Sequence, residues 1–317
     1  MTGKRLLHYA GNLLSAASAA YVAYVLWRNH EALFAHAAPG TAVAVAVAGG
    51  IVYGAVCVCL PAAWWLFLSG QGVAAPWRGV YGMYARTQIA KYLPGNVMHM
   101  VGRQMAGEAL GLSQGAMLLA TFFEIALVAA AALGIALLGL QGVAALTPEY
   151  ATVLRGASFV AVAGLLALVG GGKFFFARFP FLARMAGAVA AFDMPAWLRF
   201  LIWPFCAYLA FFLATGGVGY AAGRLVLGFA PESMNLLFFT GAYAAAWTLG
   251  FVTPGSPGGI GVRDAAMAAL LAPALGQPMA VAAAVTLRCI TTLGDVAFFA
   301  SSYLPGLHQP SPGGTQP

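Results

Sequence analysis

The chain has 317 residues, of which 62% are hydrophobic and only 7% are charged. Soluble domains carry charge on roughly a quarter of their residues, so this composition excludes an ordinary soluble protein and requires lipid around the chain. The net charge of +7 comes from basic residues between apolar segments, where such residues orient a membrane protein on an anionic leaflet. We therefore expect no nucleic-acid partner.

Several apolar segments approach or exceed the roughly 20 residues that a helix needs to cross a bilayer. They are 6–27, 41–68, 114–140, 153–170, 201–223, 234–252 and 279–304. The second segment contains Gly50-x-x-x-Gly54, a spacing that favours close helix packing. The sequence therefore predicts an all-α, polytopic transmembrane bundle of about seven or eight spans. It forms one domain over 1–305, followed by a disordered tail over 306–317 that is rich in Pro and Gly.

The basic residues also predict an orientation, because positive charge collects on the cytoplasmic side of a membrane. One connection is crowded with them, namely Lys173, Arg178, Arg184 and Arg199. Counting spans from this connection places the N-terminus in the cytoplasm as well. We expect a multi-pass protein of a bacterial-type inner cell membrane. The chain has neither a metal-binding spacing of histidines nor a Walker loop, so we expect no metal and no cofactor.

Two intervals do not fit ordinary spans. Residues 77–111 are too polar to face lipid throughout, and 253–275 begin with prolines and glycines before a short apolar helix that barely reaches halfway across. Both intervals predict broken or re-entrant helices, which membranes permit only where protein or a water-filled cavity surrounds them.

The two intervals resemble each other. Arg103 follows Pro94-Gly95 by nine residues from the proline, and Arg263 follows Pro254-Gly255 at the same spacing. Each interval precedes a span with an embedded charge, Glu124 or Arg288. An internal repeat explains this similarity, and chance matches in a chain rich in Gly and Ala are the rival explanation.

A Pro-Gly pair ends one helix, and the next helix then begins inside the protein with free amide groups that attract anions. Asn96 and Ser256 are suitable helix caps, and glycines 258 and 259 could expose backbone N–H groups. Arginines near such ends add charge-assisted hydrogen bonds, although arginine and lysine side chains can instead extend to the headgroup level. The residues predicted to bind an anionic headgroup are Lys91, Asn96, Arg103, Ser256, Gly258, Gly259 and Arg263.

Charged residues within apolar spans need a partner or a cavity, because each costs on the order of 2.5 to 3.5 kcal/mol at the membrane centre. Glu124 and Arg288 could pair with each other across the bundle. Asp295 lies seven residues after Arg288 on the same helix face, and Asp264 adjoins Arg263. The predicted charge network comprises Glu124, Asp264, Arg288 and Asp295, and the sequence leaves open whether it is structural or contacts substrate.

The predicted binding residues and charged residues belong to longer sequence patterns. The patterns are Lys91-Tyr-Leu-Pro-Gly-Asn96, Gly102-Arg103, Leu110-Gly-Leu-Ser113, Phe-Phe-Glu124, Thr253-Pro-Gly-Ser-Pro-Gly-Gly-Ile-Gly-Val-Arg263-Asp264 and Leu287-Arg288. Over 6–304 the chain resembles the lysylphosphatidylglycerol synthase transmembrane region family of flippase-like membrane proteins. The first pattern departs from the family's commoner Pro-x-Arg-x-Gly-Glu form. Two-part members add a soluble aminoacyl transferase domain, which this sequence lacks. The resemblance therefore implies that the protein binds or moves an anionic or glycosylated lipid and is not an enzyme.

Two other functions stay open from the sequence. One is a membrane-embedded transferase, or an accessory subunit, of a glycolipid or cell-envelope lipid pathway; Glu108 and Asp264 are the only acids near the two motifs. The other is a structural partner of membrane proteins in a larger complex. Whether Arg103, Glu124, Arg263 and Arg288 converge on one site would discriminate between the three functions.

Overall fold

The computed structural model describes residues 24, 27, 38–93, 97–141, 164, 193–230, 234–253 and 256–304. Throughout these ranges the regular elements are helices, which confirms the predicted all-α bundle. Five of the helices are long and apolar enough to cross a membrane, so the chain is a helical membrane protein. The predicted spans 6–27 and 153–170 lie outside the described residues except at positions 24, 27 and 164, and so do most of the basic connection and the tail.

The first two described helices, α1 (Pro39–Val56) and α2 (Cys59–Gly70), follow each other almost without interruption. Between them, the Leu60 N–H donates to the carbonyl of Cys57 at 3.1 Å. Pro61, which has no N–H, therefore lies in the first turn of α2, where the missing donor breaks no helical hydrogen bond. The apolar segment 41–68 thus forms a 32-residue unit over Pro39–Gly70.

The interval 77–111 is broken, as predicted. It contains α3 (Trp77–Gln88), a 3-10 turn (Ile89–Tyr92) and the short α4 (Met98–Glu108). Three apolar helices follow in the described parts of the chain, namely α5 (Gln114–Gly139), α6 (Met194–Leu227) and α7 (Leu236–Val252). Each begins at a residue suited to capping, since Ser113, Asp193 and Asn235 accept hydrogen bonds from the first-turn amides.

The second broken interval contains a helix that ends at Leu275, the predicted end of the interval. A 3-10 turn (Pro257–Gly259) leads into α8 (Val262–Leu275), which at 14 residues measures about 21 Å. The 19 residues from Pro257 to Leu275 count among the five candidate spans by length and composition, and the expectation of a half-crossing stays a prediction. Pro257 holds the first position of the turn, and Gly276, at φ +75°, connects α8 directly to α9 (Gln277–Ser301).

Glycines bring α9 against α1. A side chain on Gly294 would lie 2.6 Å from the Gly50 carbonyl oxygen and 3.0 Å from the Gly54 amide nitrogen. The Gly50-x-x-x-Gly54 spacing therefore packs one helix on another, as the sequence predicted. A similar contact joins α5 and α7, where Gly139 faces Gly241. The contact of Gly294 with Gly50 and Gly54 fixes α9 against α1.

We expect Gly294→Ala to destabilise the protein by on the order of 1–3 kcal/mol, because the added methyl group meets the backbone of α1. Gly217→Ala is the matched control, since a methyl group there meets nothing within 4 Å. Thermal unfolding in detergent measures the difference. Equal midpoints for the two variants would contradict the glycine contact.

Candidate functional site

A cavity lies between the two broken intervals and draws residues from both. Its polar lining consists of Gln88, Lys91, His99, Glu124 and Arg263, and its aromatic wall includes Tyr53, Phe211, Trp247 and Phe251. The intervals also touch directly, because a side chain on Gly258 would lie 2.9 Å from the Tyr92 ring. Segments that are about 165 residues apart in the sequence therefore build one site.

One buried ion pair joins α4 to α5. The Arg103 guanidinium donates to Glu124 Oε2 at 2.5 Å, and the Tyr84 hydroxyl donates to Glu124 Oε1 at 2.5 Å. Arg103 is fully buried and lies over the Tyr84 ring, 3.7 Å from its centroid. It does not line the cavity; Glu124 does. Arg103 therefore lies on the side of Glu124 away from the cavity and neutralises its charge.

A second ion pair joins α8 to α9 and holds the glycine-rich turn. Arg288 Nε donates to Asp264 Oδ1 at 2.8 Å, and its two Nη groups donate to the carbonyl oxygens of Gly258 and Gly259 at 3.2 and 3.3 Å. One guanidinium thus binds a carboxylate and two backbone carbonyls at once. The planar fork of donors makes arginine suited to this role.

The start of α8 is capped by its own acid. The Gly261 N–H donates to Asp264 Oδ2 at 3.1 Å, which places a carboxylate at the positive end of the helix. The cap predicted for Ser256 does not form, because the Ser256 hydroxyl is buried and donates to the Ile260 carbonyl at 3.2 Å. Gly261, rather than Ser256, is the N-cap residue of α8.

Glycine is required at two cavity positions. Gly258 and Gly259 have φ of +57° and +71°, in the left-handed region that disfavours other residues. On the facing helix, a side chain on Gly250 would lie 3.1 Å from Arg263 Cβ. These positions together make room for the Arg263 side chain beside the turn.

The third ion pair ties the first broken interval to α9. Lys91 Nζ lies 2.7 Å from Asp295 Oδ2, and the Tyr92 hydroxyl donates to the same oxygen at 2.6 Å. Lys91 therefore pairs within the protein instead of extending to the headgroup level. Asp295 is on α9 with Arg288, so this one helix holds both broken intervals.

Arg263 differs from the other basic residues of the site. Glu124 and Arg288 do not pair with each other, and each acid of the predicted network is bound to Lys91, Arg103 or Arg288. No acid among the described residues forms an ion pair with Arg263. Its guanidinium instead lies over the Tyr243 ring, 4.8 Å from the centroid, and lines the cavity.

His99 is a cavity residue that was not predicted from the sequence. This residue is only 8% exposed, lines the cavity, and has a Nδ1 atom with no hydrogen-bond partner in the described parts of the chain. Burial, followed by the charges of Arg103 and Lys91, lowers the pKa of His99 to about 3, so the ring is neutral. Its position four residues before Arg103, on the same face of α4, was the available signal.

The remaining predicted residues divide into two groups. Gly258 and Gly259 line the cavity, and their binding to a headgroup stays a prediction; Asn96 lies outside the described residues. Within the described ranges, no group of three or more His, Cys, Asp or Glu side chains is placed to hold a metal ion.

Comparison with known proteins adds no assignment. No protein-family model matches the chain, and no curated protein matches it.

We expect Arg103→Met to destabilise the protein by about 3–5 kcal/mol, because it leaves the Glu124 carboxylate buried without its counter-ion. Glu124→Gln should behave similarly. The double variant should recover part of the loss, since neither partner is then charged, with a coupling of about 0.5–3 kcal/mol. Thermal unfolding of the four proteins measures the cycle, with exposed Arg199→Met as a control. Strictly additive losses would contradict the ion pair.

Proposed function

We propose that the protein is a lipid flippase or transporter that binds an anionic headgroup in the cavity between its two broken intervals. The substrate is an anionic phospholipid or a polyprenyl-linked glycolipid. One observation carries the proposal: Arg263 lines a cavity of a membrane protein and forms no ion pair with any described acid. An unpaired cation within a membrane protein is costly, so a ligand that supplies the missing negative charge stabilises it.

In this proposal Arg263 contacts the phosphate directly. The absence of side chains on Gly258 and Gly259 lets the ligand approach the backbone. Arg288 fixes the turn that carries these glycines, and Arg103 positions Glu124. Discontinuous helices whose ends meet near a charged substrate are a recurring arrangement in transporters.

The aromatic wall supports a ligand that is part polar and part apolar. Tyr53, Phe211 and Trp247 line the same cavity as Arg263. A lipid headgroup can place its phosphate at the arginine and its adjoining apolar atoms against the rings, while the acyl or prenyl chains stay in the bilayer.

The resemblance to the lysylphosphatidylglycerol synthase transmembrane region family supports the same function. The sequence patterns that carry this resemblance include Arg103 and Arg263. They lie in the two segments that line or support the cavity. The location in a bacterial-type inner membrane, with a cytoplasmic N-terminus, belongs to this proposal and is supported by the basic connection over 173–199.

The alternative, a membrane-embedded transferase, is less well supported. A general base needs a carboxylate that is free to accept a proton from substrate. Glu124, Asp264 and Asp295 each accept hydrogen bonds from a paired cation. Glu108 is exposed and does not line the cavity.

We expect Arg263→Gln to reduce the rate at which a fluorescent anionic phospholipid moves in proteoliposomes by at least about tenfold, which corresponds to about 1.4 kcal/mol in the activation free energy of transport. Arg224→Gln is the matched control, because Arg224 is exposed on α6 and away from the cavity. Dithionite quenching of the labelled lipid gives the rate. Equal rates for both variants and the unmodified protein would contradict the proposal.

A further inference from the structure

We infer that the cavity selects lipids whose headgroup has a net charge of −1, carried on a phosphodiester, over phosphomonoester and pyrophosphate headgroups with two or more negative charges. This inference rests on the proposed function and specifies its substrate class. It concerns the ligand's charge, so it applies equally to a phospholipid and to a polyprenyl phosphate that carries a sugar.

The charges that line or support the cavity can be counted over the described residues. Within these ranges, the basic residues are Lys91, Arg103, Arg263 and Arg288, and the acids are Glu124, Asp264 and Asp295. Four positive charges and three negative charges leave a surplus of one. The three ion pairs measure 2.5–2.8 Å and use every acid of the set.

The surplus is located at Arg263. A ligand with one negative charge neutralises this residue and leaves the three ion pairs intact. A ligand with two negative charges must keep one unpaired in the cavity or take a cation from an existing pair, which exposes a buried carboxylate. Either outcome weakens binding, and the low local dielectric enlarges the difference.

The neutral polar groups of the site fit the rest of such a headgroup. His99 is buried and uncharged, lines the cavity, and has a Nδ1 atom without a partner in the described parts of the chain. The Gln88 amide lines the cavity beside it. These groups offer hydrogen bonds without charge, which suits the substituent on the second ester of a phosphodiester.

Two lipids that differ only at the phosphate test the inference. Phosphatidylmethanol is a phosphodiester, and phosphatidic acid, at about pH 8.5, carries nearly two charges because the second pKa of a phosphomonoester is about 6. Short-chain forms of both are titrated into delipidated protein in detergent, with phosphatidylcholine as the neutral reference. We expect phosphatidylmethanol to bind at least about tenfold more tightly than phosphatidic acid.

Charge variants test whether the single surplus positive charge at the cavity sets the preference between the two lipids. Asp295→Asn removes the counter-ion of Lys91 and leaves a second positive charge at the cavity, so the preference should move toward phosphatidic acid by at least about tenfold. The double variant Lys91→Gln/Asp295→Asn removes both charges of this pair and should restore the preference for phosphatidylmethanol. Thermal unfolding confirms that each variant is folded.

The outcomes separate the two proposals. If phosphatidic acid binds as tightly as phosphatidylmethanol, and both bind more tightly than phosphatidylcholine, the charge selection is wrong and the proposed function stands. If neither anionic lipid binds more tightly than phosphatidylcholine, the proposed function fails with it. If dimethyl phosphate, a soluble diester, binds as tightly as the lipid, the site recognises a free phosphodiester and the lipid assignment is overturned.

Discussion

The structure depends on ion pairs that join a broken segment to a continuous helix. Arg288 and Asp295 lie two turns apart on α9, and each binds a different broken interval: Arg288 the glycine-rich turn, and Asp295 the 3-10 turn at Lys91. In lipid such segments cannot satisfy their exposed backbone with water. Their polar groups therefore need partners inside the protein, and α9 supplies them to both segments at one place.

The same pairs determine the electrostatics of the cavity. An ion pair in a low-dielectric interior is close to neutral toward a ligand, whereas a lone cation attracts anions strongly. Glu124, Asp264 and Asp295 each form an ion pair with another basic residue. Arg263 is therefore the described cavity residue whose positive charge no acid neutralises. The glycines at 258 and 259 keep the space next to it open, so one arrangement explains both the fold of the turn and the chemistry of the site.

Much of this could be predicted from the sequence. Apolar segment lengths predicted the helices, and the Pro-Gly pairs and polarity of two segments predicted the broken intervals. Gly50-x-x-x-Gly54 predicted a close helix contact, and the structure identifies its partner as α9. The ion-pair partners could not be predicted, because they depend on how distant helices pack: Glu124 pairs with Arg103 rather than Arg288. His99 was missed because a single histidine in a polar helix matches no metal or catalytic motif, and its spacing of four residues from Arg103 indicates only a shared helix face.

In the proposed function, Arg263 binds a lipid phosphate while the surrounding ion pairs stay intact. Cryo-electron microscopy of the full chain in nanodiscs containing an anionic phospholipid tests this arrangement. We expect phosphate density within hydrogen-bond distance of the Arg263 guanidinium, with the ion pairs Lys91–Asp295, Arg103–Glu124 and Arg288–Asp264 unbroken. An Arg263 side chain paired with a protein carboxylate, and a cavity without lipid density, would contradict it.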